Sequence, residues 1–175
     1  MHREDVAIKR GPVGVNIFVN NAAYLSENYS FTEDFFDRTI ATNVKAVYFL
    51  CHKVAELMKN QNGHFGGKIL NISSVSSYGS DTHPYYLSKR AVNAITEGFA
   101  KKYAPYNIIV NAIAPGYCDS SFNKVNAAQN AYREEPIIKR IILPEEIADL
   151  ATFLVSDASN GIVGQTIPCD GGSML

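Results

Sequence analysis

The chain has 175 residues, of which 46% are hydrophobic and 19% are charged, and its formal net charge at pH 7 is -1. These values are typical of one soluble globular domain with a substantial core, and they argue against the strongly basic surface of a nucleic-acid-binding protein. No stretch reaches the roughly 20 apolar residues that span a bilayer, and the polar N-terminus does not resemble a secretory signal. The cysteines at 51, 118 and 169 lie far apart and in no metal-binding pattern. We therefore expect a cytoplasmic protein with reduced thiols, no metal site, and no nucleic-acid or membrane partner.

Four short apolar runs predict strands. Each contains β-branched residues and is followed by small or polar residues, which is typical of buried strands; the runs are residues 15–19, 68–73, 107–113 and 165–167. Helical patterns separate these runs. Strands that alternate with helices predict an α/β fold in which a parallel sheet is covered by helices on both faces.

Three helical patterns lie between the strands, at residues 32–59, 85–104 and 144–154. The first begins at Thr32, which precedes two acidic residues, and its two apolar segments meet near Asn43. Pro144 followed by acidic residues is a typical helix start. Residues 1–14 are polar and interrupted by Gly and Pro, so we predict a tail or the remnant of a helix there. Residues 117–142 have the composition of a lid.

The strongest functional signal is a set of polar residues at the ends of the predicted strands. Carboxyl ends of parallel strands meet at one edge of the sheet, where ligands bind. Ser74 ends the second strand, and Tyr85 and Lys89 share one face of the following helix because they are four residues apart. A Tyr-x-x-x-Lys pair alone usually means a packed tyrosine and a solvated lysine. A hydroxyl, a phenol and an ammonium at one sheet edge instead indicate proton transfer.

Several further motifs accompany these residues, in order along the chain: Asn-Asn-Ala-Ala at 20–23, Asn43, Asn-Ile-Ser-Ser at 71–74, Val-Asn-Ala-Ile-Ala-Pro-Gly at 110–116, and Gly-Gln-Thr-Ile at 164–167 with Asp-Gly-Gly at 170–172. Together with Tyr85-x-x-x-Lys89, they resemble the short-chain dehydrogenase/reductase family across residues 15–173. The resemblance implies a Rossmann-like doubly wound parallel sheet and an oxidoreductase that interconverts a ketone and a secondary alcohol.

The resemblance also implies catalytic roles. Tyr85 would exchange a proton with the substrate oxygen, and Lys89 would lower the phenol pKa from its usual value near ~10 and bind the nicotinamide ribose. Ser74 would hydrogen-bond the same oxygen, and Asn43 would hold a water that relays protons to Lys89. Tyr85 is preferred to Tyr86 because only Tyr85 lies four residues before Lys89. Ser73, next to Ser74, would point to the other side of the strand.

The implied cofactor is NAD or NADP, and the family pattern carries over to a defined set of residues. Asn20 matches a residue of the segment that lines the adenosine side. The turn after the third strand and the backbone at Cys118 match the part that lies beside the nicotinamide carboxamide. The complete implied set is Asn20, Ala22, Tyr85, Lys89, Pro115, Gly116, Cys118 and Ser120.

One family element is not found in the sequence. The family's Gly-rich turn, T-G-x-x-x-G-x-G, receives the cofactor pyrophosphate, and no such segment occurs here. Residues 15–175 are therefore interpreted as the C-terminal part of one domain that lacks its first three strands, roughly 60–70 residues at ~30 per strand–helix unit. We expect the strand at 15–19 to expose an apolar edge.

Two functional hypotheses remain. The first is an oxidoreductase acting on a small carbonyl or alcohol substrate, either a 3-oxoacyl-carrier-protein reductase or a sugar or polyol dehydrogenase. The second is a catalytically inactive fragment that only associates with other chains. The family resemblance implies a homo-oligomer, a dimer or a tetramer. For the 175-residue chain itself we expect little or no activity.

Overall fold

The structure, a computed structural model, describes residues 8–11, 14–25, 31–61, 66–119 and 132–175. These residues form one sheet of five strands in the order β1-β2-β3-β4-β5. The strands are β1 (Ile8–Gly11), β2 (Gly14–Asn20), β3 (Gly67–Ile72), β4 (Ile108–Pro115) and β5 (Thr166–Cys169). Neighbours from β2 to β5 pair in parallel, whereas β1 pairs antiparallel with β2. All four predicted strands are therefore confirmed as parallel strands.

The predicted helices are confirmed as well: α1 (Glu33–Ile40), α2 (Val47–Asn60), α3 (Pro84–Tyr103) and α4 (Pro144–Leu154). A π-helical turn, Ala41–Ala46, joins α1 to α2 at the point where the two apolar segments were expected to meet. Thr32 caps α1, since its side chain accepts the N–H of Phe35 at 3.3 Å. Among the helices of the described ranges, none has both the length and the apolar character needed to cross a bilayer.

The core has one layer on each face of the sheet. Consecutive strand residues point to opposite faces, so Ile69 packs with α2 and α3 while Leu70 packs with α4. The first layer includes Phe18, Cys51, Met58, Ile69, Val92, Phe99, Tyr103 and Val110. The second layer includes Leu70, Ile113 and Leu154, with Val19, Ile72, Ile147 and Ile167 packed against them. Strands that are apolar on both faces are thus covered on both faces, as predicted.

The N-terminal segment departs from the prediction. Residues 8–11 form the strand β1, not a tail or the remnant of a helix, and Lys9 lies opposite Ile17 in its antiparallel register with β2. The edge of β2 that was expected to be exposed is therefore paired. The physical reason is that the backbone N–H and C=O groups of β2 on the side away from β3 need hydrogen-bond partners, and β1 provides them. Composition does not reveal this, because backbone pairing requires no particular side chain.

The parallel register brings the functional segments together. Asn20 is opposite Asn71, Ile72 is opposite Ile113, and Pro115 is opposite Cys169. The carboxyl ends of β2, β3, β4 and β5 therefore reach a common edge of the sheet. Three of the predicted site residues, Ser74, Pro115 and Gly116, lie at this edge.

Candidate active site

A cavity of about 950 Å³ lies at the carboxyl edge of the sheet. Its size is within the range of about 300–1,000 Å³ that is typical of small-molecule sites. Six of the predicted site residues line it: Ser74, Tyr85, Lys89, Pro115, Gly116 and Cys118. The loops after β2, β3 and β4 and the first turns of α3 thus contribute to one concave surface.

Tyr85 and Lys89 meet on the inner face of α3. Helix α3 starts with Pro84, so Tyr85 lies in its first turn and Lys89 one turn later. Both side chains are buried, with 8% of Tyr85 and 2% of Lys89 exposed. The Lys89 Nζ lies 5.5 Å from the centre of the Tyr85 ring and donates a hydrogen bond to the carbonyl oxygen of Ile72 at 2.8 Å. The i, i+4 spacing therefore produces the expected juxtaposition.

The expected effect on the Tyr85 pKa is wrong in this arrangement. Burial raises the pKa of Tyr85 to about 12; the hydrogen bond with Ser74 lowers it and the nearby Tyr86 raises it. Burial likewise lowers the pKa of Lys89 to about 8. The ammonium points to the carbonyl group of Ile72, so desolvation outweighs its attraction for a phenolate. At neutral pH Tyr85 is a neutral phenol and Lys89 is largely an ammonium.

Ser74 and Ser73 have different surroundings. Ser74 follows β3 and caps the 3₁₀ turn Val75–Ser77: its Oγ accepts the N–H of Ser76 at 3.2 Å, and its side chain is hydrogen-bonded to that of Tyr85. The Ser73 hydroxyl instead donates to Oδ1 of Asn93 at 2.6 Å. Ser74 is thus the strand-end serine in contact with Tyr85, because successive strand residues point to opposite sides.

Asn43 lies in the π-helical turn and is 1% exposed. Its Oδ1 accepts the N–H of Tyr24 at 2.6 Å, and its Nδ2 donates to the carbonyl oxygen of Tyr24 at 2.9 Å. Nδ2 also lies 3.0 Å from Oγ of Ser88 on α3. The amide therefore ties the loop after β2 to α3, next to the cavity. Its role in holding a water stays a prediction.

Asn20 and Ala22 differ from the expectation because neither contributes to the lining of the cavity. The Asn20 side chain is buried on the opposite side, where Nδ2 donates to Oδ1 of Asn71 at 2.8 Å and lies 3.4 Å from Sγ of Cys51. Asn21 and Ala23 line the cavity instead. The alternation of side chains at the end of β2 explains the difference, since adjacent residues face opposite directions.

Asn71, on β3 in the middle of the sheet, was not predicted to have a role. It is fully buried, and its Nδ2 donates to Oγ1 of Thr96 on α3 at 2.9 Å. With Asn20 it forms a chain of hydrogen bonds from β2 through β3 to α3. The sequence does contain a signal for this role, since an Asn within the apolar run at 69–72 is expected to be buried. A buried amide needs hydrogen-bond partners from neighbouring elements. His83, two residues before Tyr85, was also missed and lines the cavity.

The turn after β4 is held by close backbone packing. The N–H of Gly116 donates to the carbonyl oxygen of Cys169 at 3.0 Å, and a Cβ at this glycine would lie 2.9 Å from Cα of Asp170. Any side chain here would therefore displace the end of β5. Burial raises the pKa of Cys118 to about 11, so its thiol is neutral. Ser120 lies outside the described residues, as do residues 121–131 of the predicted lid.

Comparisons with known proteins identify the family of this chain. A sequence profile of the family described as enoyl-(acyl carrier protein) reductase matches residues 6–174. The 2-dehydro-3-deoxy-D-gluconate 5-dehydrogenase of Dickeya dadantii (strain 3937) is 39% identical, with 90% of this chain and 65% of that protein covered. Dehydrogenase/reductase SDR family member 4 of Sus scrofa is 34% identical, with 91% of this chain and 60% of that protein covered.

A solved structure is also similar. The gluconate 5-dehydrogenase of Burkholderia cenocepacia J2315, in complex with NADP and tartrate, superposes with a TM-score of 0.81 at 30% identity, with 92% of this chain and 65% of that chain covered. The chain thus spans about 60–65% of the length of the relatives it matches. On the profile match, the sequence relatives and the shared fold, the chain belongs to the short-chain dehydrogenase/reductase family.

Proposed function

We propose that this chain carries the proton-transfer half of an NAD(P)-dependent oxidoreductase that interconverts a ketone and a secondary alcohol. The observation that supports the proposal most is the contact between buried Tyr85 and Lys89, with Ser74 bonded to Tyr85, in a cavity at the carboxyl edge of a parallel sheet. Membership of a family of dehydrogenases and reductases supports the same chemistry.

The residues that line the cavity fit the nicotinamide end of NAD or NADP. Lys89 is a buried hydrogen-bond donor suited to ribose hydroxyls, and Pro115 and Gly116 line the same cavity. The cofactor, when bound, supplies or accepts the hydride. Asn20, Ala22 and Ser120 remain assigned to the cofactor only through the family resemblance. The solved relative that contains NADP supports this class of cofactor.

The protonation states favour proton donation to a carbonyl group. Tyr85 is a neutral phenol at pH 7, since its pKa is about 12, and it donates its proton to the carbonyl oxygen of the substrate. The Ser74 hydroxyl bonds to the same oxygen and stabilises its developing charge. Once Tyr85 has lost its proton, the adjacent Lys89 ammonium stabilises the phenolate. In the reverse direction the same residues act in the opposite sense, with Tyr85 removing the proton of the alcohol.

We propose a sugar-derived or polyol substrate ahead of an acyl-carrier-protein substrate. The cavity lining is rich in hydroxyl groups: besides Ser74 and Tyr85 it includes Ser76, Tyr78, Tyr86 and Tyr117. Such groups match the hydroxyls of a small polyol or keto sugar. The names of the relatives from Dickeya dadantii and Burkholderia cenocepacia support this substrate class.

We also propose that copies of this chain associate. Helix α2 exposes Tyr48, Phe49 and Leu57, and α3 exposes Leu87. Apolar side chains grouped on two neighbouring helices are typical of a protein–protein interface. Sedimentation velocity of the purified chain tests the proposal: we expect a dimer or tetramer, and a monomer at all concentrations would contradict it.

The test of the catalytic proposal is the oxidation of NADH or NADPH, with a panel of keto sugars, by a form of the protein that also contains the family's Gly-rich pyrophosphate-binding turn, because the 175-residue chain alone is expected to show little or no activity. We expect Tyr85→Phe to lower kcat/KM by at least about 10²-fold, because the proton donor is lost. Tyr106→Phe, the same change at an exposed position beyond α3, is the matched control. Near-normal hydride transfer by Tyr85→Phe would refute the assignment. Hydride transfer absent from the wild-type protein with both cofactors would favour the inactive, associating chain.

A further inference from the structure

The helix that carries Tyr85 is capped by an imidazole. His83 is the N-cap of α3, and its Nδ1 accepts the backbone N–H of Tyr85 at 3.0 Å. Ser, Thr, Asp and Asn usually occupy this position, because their oxygen atoms accept at any ordinary pH. An imidazole nitrogen accepts only when it carries no proton. The hydrogen bond therefore requires a neutral ring with its proton on Nε2.

Ring contacts hold the imidazole in place. The His83 ring lies edge-on to Phe35 of α1, with centroids 5.4 Å apart, and edge-on to Tyr85, with centroids 6.4 Å apart. The backbone N–H of His83 donates to Oδ1 of Asp81 at 2.7 Å. Pro84 follows and restricts His83 to extended geometry, with φ -68 and ψ 125. One side chain thus contacts both the backbone and the ring of Tyr85 at the wall of the cavity.

We propose that His83 is a positioning residue, whose neutral imidazole holds Tyr85 in place for proton transfer. The proposal rests on the proposed function of Tyr85. Protonation of Nδ1 removes the acceptor for the Tyr85 N–H and places a cation at a helix N-terminus, where positive charge is unfavourable. The orientation of Tyr85 is therefore coupled to the protonation of a neighbouring side chain.

The groups around His83 define this coupling. Asp81 contacts it from the preceding loop through the backbone, and Tyr85 contacts it from α3. Helix α1 meets it with the uncharged ring of Phe35, which in turn packs on Tyr24. Lys89 lies beyond the Tyr85 ring. Because the cap needs an unprotonated Nδ1, it opens when the ring takes up a proton.

The test follows the backbone amide resonance of Tyr85 by NMR from about pH 8 to about pH 5. His83→Asn keeps an acceptor that does not titrate, and His83→Ala removes the acceptor. In the wild type we expect the resonance to move from a hydrogen-bonded to an unbonded position together with the His83 ring resonances. In His83→Asn we expect the resonance to keep its hydrogen-bonded position at every pH. In His83→Ala we expect it to keep its unbonded position at every pH. At pH 8 His83→Ala should unfold about 2–4 °C lower than the wild type.

The outcomes distinguish this proposal from the proposed function, because the resonance is read without substrate or cofactor. A Tyr85 amide that does not follow the His83 titration, or that follows the same pH profile in His83→Asn, would overturn the positioning role. Hydride transfer provides the second measurement. We expect its rate to fall toward pH 5 in the wild type and to be retained in His83→Asn, and identical pH profiles would also overturn the role.

Discussion

Lys89 combines a position in the proposed site with an unfavourable environment for a charge. Its ammonium is buried and donates a hydrogen bond to the backbone carbonyl of Ile72. Burial lowers its pKa from an ordinary 10.5 to about 8, a difference that corresponds to about 3 kcal/mol of cost to the folded state at neutral pH. Because the side chain also contacts the ring of Tyr85, its place in the proposed site accounts for its burial.

This cost predicts an unusual pH dependence. Between about pH 8 and 10 the folded chain has released the Lys89 proton and the unfolded chain still binds it, so the contribution of Lys89 to stability rises with pH, while the raised pKa of the Cys118 thiol acts in the opposite sense above about pH 9. Above about pH 10 the raised pKa of Tyr85 has the opposite effect, since the folded chain then binds the extra proton. We expect Lys89→Met to be about 2 kcal/mol more stable at pH 7 and to lack the rise between pH 8 and 10.

Urea unfolding at each pH measures this difference. The exposed Lys53 on α2 provides the matched control, and Lys53→Met should change stability by less than about 0.5 kcal/mol. Parallel stability curves for the wild type and Lys89→Met would show that the buried ammonium carries no such cost.

At the scale of the elements, the junction of α1 and α2 determines where the loop after β2 lies. The π-helical turn Ala41–Ala46 accommodates an extra residue in the helix, a feature often found at functional sites. Within it, Asn43 uses both ends of its amide to bind the backbone of Tyr24. The ring of Tyr24 packs on Phe35, which contacts His83. The junction is thus connected to the His83 cap of α3 through Tyr24 and Phe35.

We expect Asn43→Ala to destabilise the fold by about 2–4 kcal/mol, because the N–H and C=O of Tyr24 both lose a buried partner. Asn60→Ala is a suitable control: the Asn60 side chain is exposed at the end of α2 and bonds only within that helix. It should cost less than about 0.5 kcal/mol in the same urea unfolding experiment. Equal losses for the two variants would mean that the bonds to Tyr24 contribute nothing measurable.

On the scale of the whole molecule, the N-terminal segment pairs with β2, so that the short β1 and not the longer, apolar β2 is the edge strand of the sheet. β1 covers β2 with an antiparallel register from Ile8 opposite Phe18 to Gly11 opposite Gly14. Without β1, the apolar strand β2 would present unpaired backbone groups, and such edges recruit strands from other chains. We expect the short β1 to limit such recruitment, because very short edge strands are poor templates for pairing with other chains.

Removal of residues 1–11 should produce self-association through the edge of β2, detected as a concentration-dependent increase in light scattering. Removal of residues 1–7 is the control, because it leaves β1 in place. We expect the longer deletion to aggregate and the shorter one to behave like the full chain. A longer deletion that stays as soluble as the control would show that the β2 edge needs no cover.

Much of the fold could be predicted because its signals are periodic. Runs such as residues 68–73 are apolar on both faces, and the helix of Tyr85 and Lys89 has its 3.6-residue pattern, so each element followed from local residues. The contact between Ser74 and Tyr85 followed as well, since parallel strands end at one edge. The direction of the side chains at the end of β2 could not be predicted. Asn20 and Asn21 are the same residue type, and only the structure shows that Asn20 bonds Asn71 while Asn21 lines the cavity.

The α/β fold, the family and the spacing that joins Tyr85 to Lys89 all follow from the sequence, because they depend on periodicity and on motifs of adjacent residues. The protonation state of the site, in contrast, depends on how the chain folds around it. The pKa values of Tyr85 and Lys89 depend on how completely surrounding segments exclude water. The cap formed by His83 and the strand β1 likewise depend on which backbone groups lack partners in the folded chain. Burial and hydrogen-bond demand are properties of the whole molecule, and no local pattern encodes them.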